Sequence, residues 1–352
     1  STGDDVPGRR QRTRRRLDVG PGSRDNFAKH ENLAPTHPGS RAKFRGSRRN
    51  GADPQPRDVV RAHFVPWANL ARRLARRILA AGGRVSGTAR SEEGAAALRA
   101  EGITAHVFDG TAALPAAAFE GVTDLLCSIP PGAGGDDGVL ALHGDALAAL
   151  PELRWAALLS TTGVYGDTGG AWIDEDAPLR PMNERTERRV AAERAWLSWA
   201  EASGKPVQVF RLPGIYGPGR TPFDRLRAGQ ARRIHKPGQV FNRIHVDDIV
   251  QALLLGMQQP RKGPVFHLAD DEPAPADEVL AYAASLIDLP APPSVPIEEA
   301  GLSPMGQSFY AECKRLSNAR IKEELGFAPR YPSYREGLAA SLAEEEQKTR
   351  SE

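Results

Sequence analysis

Between residues 59 and 213, short apolar runs alternate with stretches whose apolar residues recur every three or four positions. The runs at 59–65, 84–89, 103–108, 122–129, 155–160 and 207–212 predict strands. The stretches between them predict helices over 67–81, 91–101, 139–150 and 186–202. In the first helix Leu70, Leu74, Ile78 and Leu79 share one face, and Gly82-Gly83 supplies a stop. Ser91 is placed to cap the second, with Glu92 and Glu93 in its first turn. Alternation at this spacing calls for parallel crossovers, hence an α/β protein with a doubly wound parallel sheet. After Gly214 the alternation breaks. Residues 221–245 read as loop and short helix, and 265–268 as a short strand. Helices are predicted over 247–257, 276–287, 317–325 and 334–346, with Asp247 as an N-cap.

Two strands stand out for how they end. The run Leu158-Leu159 passes into Ser160-Thr161-Thr162-Gly163-Val164-Tyr165-Gly166-Asp167, an apolar strand that finishes in hydroxyls and a turn. The segment 207–220, VQVFRLPGIYGPGR, repeats that design. Ligands on doubly wound sheets bind at the carboxyl ends of the strands. That rule sets Arg90, Asp109, Ser128, Thr161 and Pro213 along one edge.

Charge and composition narrow the classes. The first 50 residues hold 13 Lys and Arg against 5 Asp and Glu, while the whole chain nets +3, so the body is mildly acidic. Residues 1–57 carry no sustained apolar period and read as a disordered basic segment. The arginines between Arg9 and Arg16 read as a solvated tail rather than a nucleic-acid site, because no aromatic residues are interleaved for stacking. No apolar run reaches 18 residues, so no membrane span is expected, and the start shows no signal-peptide pattern. Two lone cysteines, Cys127 and Cys313, fit a reducing cytoplasm. The eight histidines are scattered without metal spacing, so no metal is expected.

Five segments in order carry a family resemblance: STTGVYGD, RLPGIYGPGR, FNRIHVDDIV, FHLADDEPAPADEVLAYAASLI and KRLSNARIKEELGFAPRYPSYREGL. Together they resemble the extended short-chain dehydrogenase/reductases, the NAD-dependent epimerase/dehydratases, and in particular their atypical, YeeZ-like branch. The resemblance covers residues 59–340. It implies a Rossmann domain over 58–214 and a small substrate lobe over 215–346 that returns some chain to the sheet. It also implies NADP, or alternatively NAD, as cofactor and a small polar or nucleotide-sugar-like substrate. Family members pair through two helices that here fall at 139–150 and 186–202, so a homodimer is implied.

Carried over residue by residue, the resemblance makes Thr161 the catalytic hydroxyl, with Tyr165 the nearest alternative. Arg90 would meet the 2′-phosphate of NADP, and Asp109 the adenine. Ser128, Ile129 and Pro130 would pass beneath the nicotinamide-side ribose, and Leu212, Pro213 and Gly214 would border the nicotinamide. Thr162, Tyr216 and Arg243 would contact substrate. Two departures stand out. The family's Tyr-x-x-x-Lys register falls on Arg185 and Arg189. Arg189 can hold a ribose or phosphate, but arginine cannot trade protons near neutral pH. The glycine-rich turn after the first strand reads Val65-Pro66-Trp67-Ala68-Asn69-Leu70, with no glycine. Either dinucleotide binding is lost, or residues 1–70 come from a shifted reading frame. The leading reading is therefore an NAD(P)-dependent oxidoreductase or epimerase-like enzyme. The alternative is a catalytically silent nucleotide-binding or redox-sensing module.

Overall fold

The computed structural model describes residues 60–63, 68–132 and 137–351. The basic head, Val65-Pro66-Trp67 and most of the glycine loop after Gly132 lie outside the described residues. The chain runs through β1 (Val60–His63), α1 (Ala68–Ala80), β2 (Val85–Ala89), α2 (Glu92–Ala100), β3 (Thr104–Val107), β4 (Asp124–Cys127), α3 (Gly138–Ala148), β5 (Trp155–Thr161), β6 (Trp172–Ile173), α4 (Glu184–Ser203) and β7 (Val207–Leu212). It continues through β8 (Gly214–Tyr216), α5 (Phe223–Arg227), β9 (Arg233–His235), β10 (Arg243–His245), α6 (Val246–Gln258), β11 (Val265–His267), α7 (Ala276–Leu286), β12 (Ser294–Pro296), α8 (Pro304–Tyr310), β13 (Arg315–Leu316), α9 (Ala319–Leu325) and α10 (Tyr334–Ser351).

Among the described residues seven strands form one parallel sheet in the order β11-β7-β5-β4-β1-β2-β3. This is the α/β, doubly wound, Rossmann-like architecture that the strand–helix alternation predicts. The chain winds outward from β1 to β3, then returns past β1 to β4. The reversal opens a crevice at the carboxyl ends of the central strands.

The pleat sorts each apolar run onto two cores. In β5, Trp155, Ala157 and Leu159 join one core with Leu74, Ile249 and Leu253. Ala156 and Leu158 join the other with Leu147 and Trp196. Strand β7 divides the same way, Phe210 and Leu212 against Val207 and Val209. Burial on both faces is why these strands read as unbroken apolar runs. The buried indoles keep their N–H groups satisfied: Trp155 donates to Gln208 Oε1 at 2.8 Å, and Trp196 to Asp137 Oδ2 at 2.9 Å.

Helix ends follow local chemistry. Ser91 Oγ accepts from the Gly94 N–H at 3.2 Å and caps α2. Asn183 and Thr186 form a capping box on α4, which stops at Gly204 with φ 75°. The cap of α6 departs from expectation. It is His245, not Asp247, whose side chain accepts the Asp247 N–H at 3.1 Å.

The second half differs more from its sequence reading. Residues 221–245 contain β9 and β10 as well as helix. Among the described residues three two-stranded parallel pairs also form, β8–β10, β9–β12 and β6–β13. Strands of two or three residues are too short to leave a period-two signature. Strand β11 joins the main sheet beside β7. A separate core of Tyr216, Phe223, Leu226, Ala283, Tyr334 and Leu338 packs elements that follow β7.

Candidate functional site

Strand β5 is longer than its neighbour β4, whose last pair is Cys127 with Leu158. Leu159, Ser160 and Thr161 therefore run on beyond β4. The turn after them packs closely on α4: a Cβ on Gly163 would meet Thr186 Cγ2 at 3.0 Å. Strand β7 ends beside them, with Thr161 opposite Leu212, and passes into Pro213 and Gly214. These strand ends, the start of α4 and the loop before β10 enclose a cleft of about 770 Å³.

Eight of the expected site residues line that cleft: Pro130, Thr161, Thr162, Arg189, Leu212, Pro213, Gly214 and Arg243. Thr161 is half-buried, and its Oγ1 accepts the Gly163 N–H at 3.2 Å. Arg189 is half-buried and donates to the Leu159 carbonyl at 3.2 Å. Burial, with Arg185 adding repulsion, lowers its proton affinity. Arg243 donates through Nη1 to the Phe241 and Ala274 carbonyls at 2.9 and 3.0 Å. Behind it lies Asp270, 2% exposed, with Oδ2 unpartnered among the described residues. Burial pushes this carboxyl up to about 8. The raised value weakens, without removing, the attraction between Asp270 and Arg243.

The other expected residues lie elsewhere. Ser128 is buried and Ile129 packs on the core below the cleft. Arg90 is exposed at the end of β2, and Asp109 is exposed past β3, where its carboxylate accepts from the Thr111 N–H at 2.9 Å and hydroxyl at 2.6 Å. Two expectations need correction. Tyr216 does not line the cleft; its ring packs in the core with Phe223 and Tyr334, and its hydroxyl donates to the Ser333 carbonyl at 3.2 Å. Tyr165 does not reach it either, being only 1% exposed.

Tyr165 belongs instead to a buried polar network behind β5. Arg211 forks onto Glu193 at 2.7 and 3.1 Å, and also donates to the Tyr165 hydroxyl and the Glu175 carbonyl. Ser160 Oγ donates to Glu193. His267 Nδ1 lies 2.9 Å from the Ser317 carbonyl, so Nδ1 carries the proton and Nε2 accepts from Tyr165. Burial pushes Tyr165 up to about 12 against the pull of Arg211, and His267 down to about 4. Neither group changes charge near neutral pH. The network was legible only as two oddities, an Arg inside the apolar run VQVFRL and a Glu among apolar helix positions. Charges at such positions signal a buried partner. His245 is likewise structural: it is 1% exposed, with Nε2 3.2 Å from Ser341 Oγ.

Further lining residues come from segments without any sequence period: Val240, Phe241, Tyr310, Glu312 and Lys314. Phe241 and Tyr310 meet edge to face at 5.1 Å. Among the described residues no group of three or more His, Cys, Asp or Glu is placed to hold a metal, and no helix is long and apolar enough to cross a membrane.

This geometry matches known proteins. Residues 153–269 match the model of the NAD dependent epimerase/dehydratase family. The chain is 31% identical over 182 residues to a 3-diazoavenalumate denitrifying reductase from Streptomyces sp, covering 47% of this chain and 58% of that protein. It is 29% identical over 174 residues to YeeZ of Escherichia coli K12, covering 49% and 57%. The chain thus spans little more than half the length of the curated relatives it matches. A solved structure of a functionally unknown conserved protein from Silicibacter pomeroyi DSS is 46% identical with a TM-score of 0.75, covering 82% of this chain and 99% of that one. Over residues 153–269 the chain thus carries a domain of the NAD-dependent epimerase/dehydratase type.

Proposed function

We propose that the protein is a nicotinamide-dinucleotide-dependent oxidoreductase or epimerase-like enzyme acting on a small polar, nucleotide-sugar-like substrate. The observation that carries this reading is the convergence of Pro130, Thr161, Arg189 and Pro213 on one cleft. These residues come from the carboxyl ends of β4, β5 and β7 and from α4. From the tip of β2 to that of β5 is three strand steps, about 14 Å at the usual spacing. A dinucleotide laid along this edge would have its adenosine half at Arg90 and Asp109 and its nicotinamide half at Thr161. The donor set suits the group, since the cleft wall is cationic and hydroxylic. Arg90 favours the 2′-phosphate of NADP over the diol of NAD.

A nicotinamide bound there would supply or accept hydride. The chain's own part is to place the substrate oxygen against the Thr161 hydroxyl and to hold phosphate or ribose at Arg189. Thr162 and Arg243 would contact the rest of the substrate. The proton for that oxygen comes from water or through Thr161, because arginine keeps its proton and Tyr165 is enclosed. The reductase named above, 31% identical, supports a redox role.

Titration with NADPH and NADH, followed by calorimetry, tests the reading. NADPH should bind more tightly than NADH, on the order of tenfold, and Arg90→Ala should erase the preference. No binding of either nucleotide would defeat it. The alternative, a catalytically silent nucleotide-binding module, draws support from Arg185 and Arg189 in the acid–base register. It predicts nucleotide binding with no turnover of any sugar nucleotide. The proposed homodimer, pairing α3 and α4, is checked by sedimentation.

A further inference from the structure

Six cations and a single carboxylate line the cleft among the described residues. That carboxylate, Glu312, is held by Lys314 at 2.6 Å. Arg185 and Arg189 stand one turn apart on α4 and both face the cavity. Arg185 has no hydrogen bond or ion pair to any described residue. Arg189 has one, to the Leu159 carbonyl, and no carboxylate. The acids of α4 make no ion pair with either arginine, although the Glu193 charge, like that of Asp137, acts on Arg189 from a distance. Glu184 pairs with Arg188 and Glu193 with Arg211. Glu187 lies two positions from each arginine, on another side of the helix.

Arg185 is exposed, and its placement is mildly unfavourable without a ligand. Like charges at i and i+4 repel, and cations near a helix N-terminus oppose the helix dipole. Glu184 and Glu187 stand in the same first turn, but neither bonds to Arg185. We propose that Arg185 and Arg189 form an oxyanion subsite that takes a carboxylate or phosphate group. Guanidinium forks match both groups in geometry and charge. A bound anion turns the mutual repulsion of the pair into shared attraction. The register that carries a proton-transferring pair in the resembling enzymes is here an anion clamp. The anion has two sources, an acidic group on the substrate or a phosphate of the dinucleotide.

Calorimetric titration of the full chain with inorganic phosphate and with malonate, at constant ionic strength set by chloride, tests the clamp. Wild type should bind both probes. Arg185→Gln and Arg189→Gln should each weaken binding, and together by at least tenfold. Arg261→Gln, remote from the cleft, should bind as wild type does. Thermal melts confirm that each variant is folded. Equal affinity in wild type and the double variant overturns the proposal. Repeating the phosphate titration on NADPH-saturated protein separates the sources. Phosphate binding that persists assigns the clamp to substrate. Binding that is lost, with NADPH itself weakened in the double variant, assigns it to the dinucleotide. Wild type that takes phosphate but no NADPH keeps the clamp and defeats the dinucleotide reading instead.

Discussion

Ser160 and Thr161 are neighbours in β5 and both border the cleft, yet their hydroxyls meet different surroundings. Ser160 turns to Glu193 and Arg211 in a buried network in which nearly every polar group meets a protein partner. Thr161 lines an open cleft with Arg185 and Arg189, whose guanidinium groups are mostly unmet by protein. Arginine likewise plays two parts around this strand end. Arg211, 4% exposed, makes bonds to a carboxylate, a phenol and a carbonyl. Such an arginine is architecture, because its charge is spent inside the fold. An arginine at a cavity wall with donors left over is available to something outside it. Saturation of donors, rather than the presence of charge, separates the two regions.

Removing a partner from the buried side gives the largest expected effect. Glu193→Ala leaves Arg211 charged and enclosed, which costs about 3–5 kcal/mol. Urea denaturation measures it, and a loss below about 1 kcal/mol would show the network to be wetter than its burial implies. Tyr165→Phe comes next. It deprives both Arg211 and His267 of a partner, at about 1–3 kcal/mol. The same variant sharpens the functional contrast. If Tyr165 were the catalytic hydroxyl, its loss would abolish turnover while leaving stability nearly intact.

Acid sharpens the comparison from another side. His267 and His245 are each held near 4 by burial, well below the ordinary imidazole value. The unfolded chain therefore binds protons that the folded one refuses between pH 6.5 and 4. Stability from these neutral rings is full above about pH 6.5 and drains away as pH falls toward 4. His267→Gln should be less stable at pH 7, yet lose less than wild type does on going to pH 4.5. The difference is on the order of 2 kcal/mol at about 1.4 kcal/mol per unit. Parallel stability curves for the two proteins would remove His267 from the enclosed network.

How much of this was legible follows from what each signal depends on. The main sheet was readable because β5 and β7 bury both faces, and such runs are apolar throughout. The cleft edge was readable because topology alone sends ligands to strand ends. Tyr165 was not. A tyrosine in the turn after a strand looks the same whether it faces a cleft or a histidine 102 positions away. Phe241, Tyr310 and Lys314 were equally hidden, since long-range closure of short strands brings them to the cleft. Arg185 was visible in the register, but only the structure shows that protein leaves it unpartnered.

The smallest effect is the one whose sign decides most. Arg185→Gln removes a cation from the first turn of α4 and relieves its repulsion with Arg189. Each contribution is a few tenths of a kcal/mol in favour of the variant. Arg185→Gln should therefore match or slightly exceed wild type, by no more than about 0.5 kcal/mol, with the gain shrinking in high salt. A variant less stable than wild type by 1 kcal/mol or more would place Arg185 with Arg211, as a structural cation. A variant equal or more stable, with anion binding lost, means that the fold tolerates Arg185 at its own expense. A residue kept against local stability is one whose favourable partner arrives with the ligand.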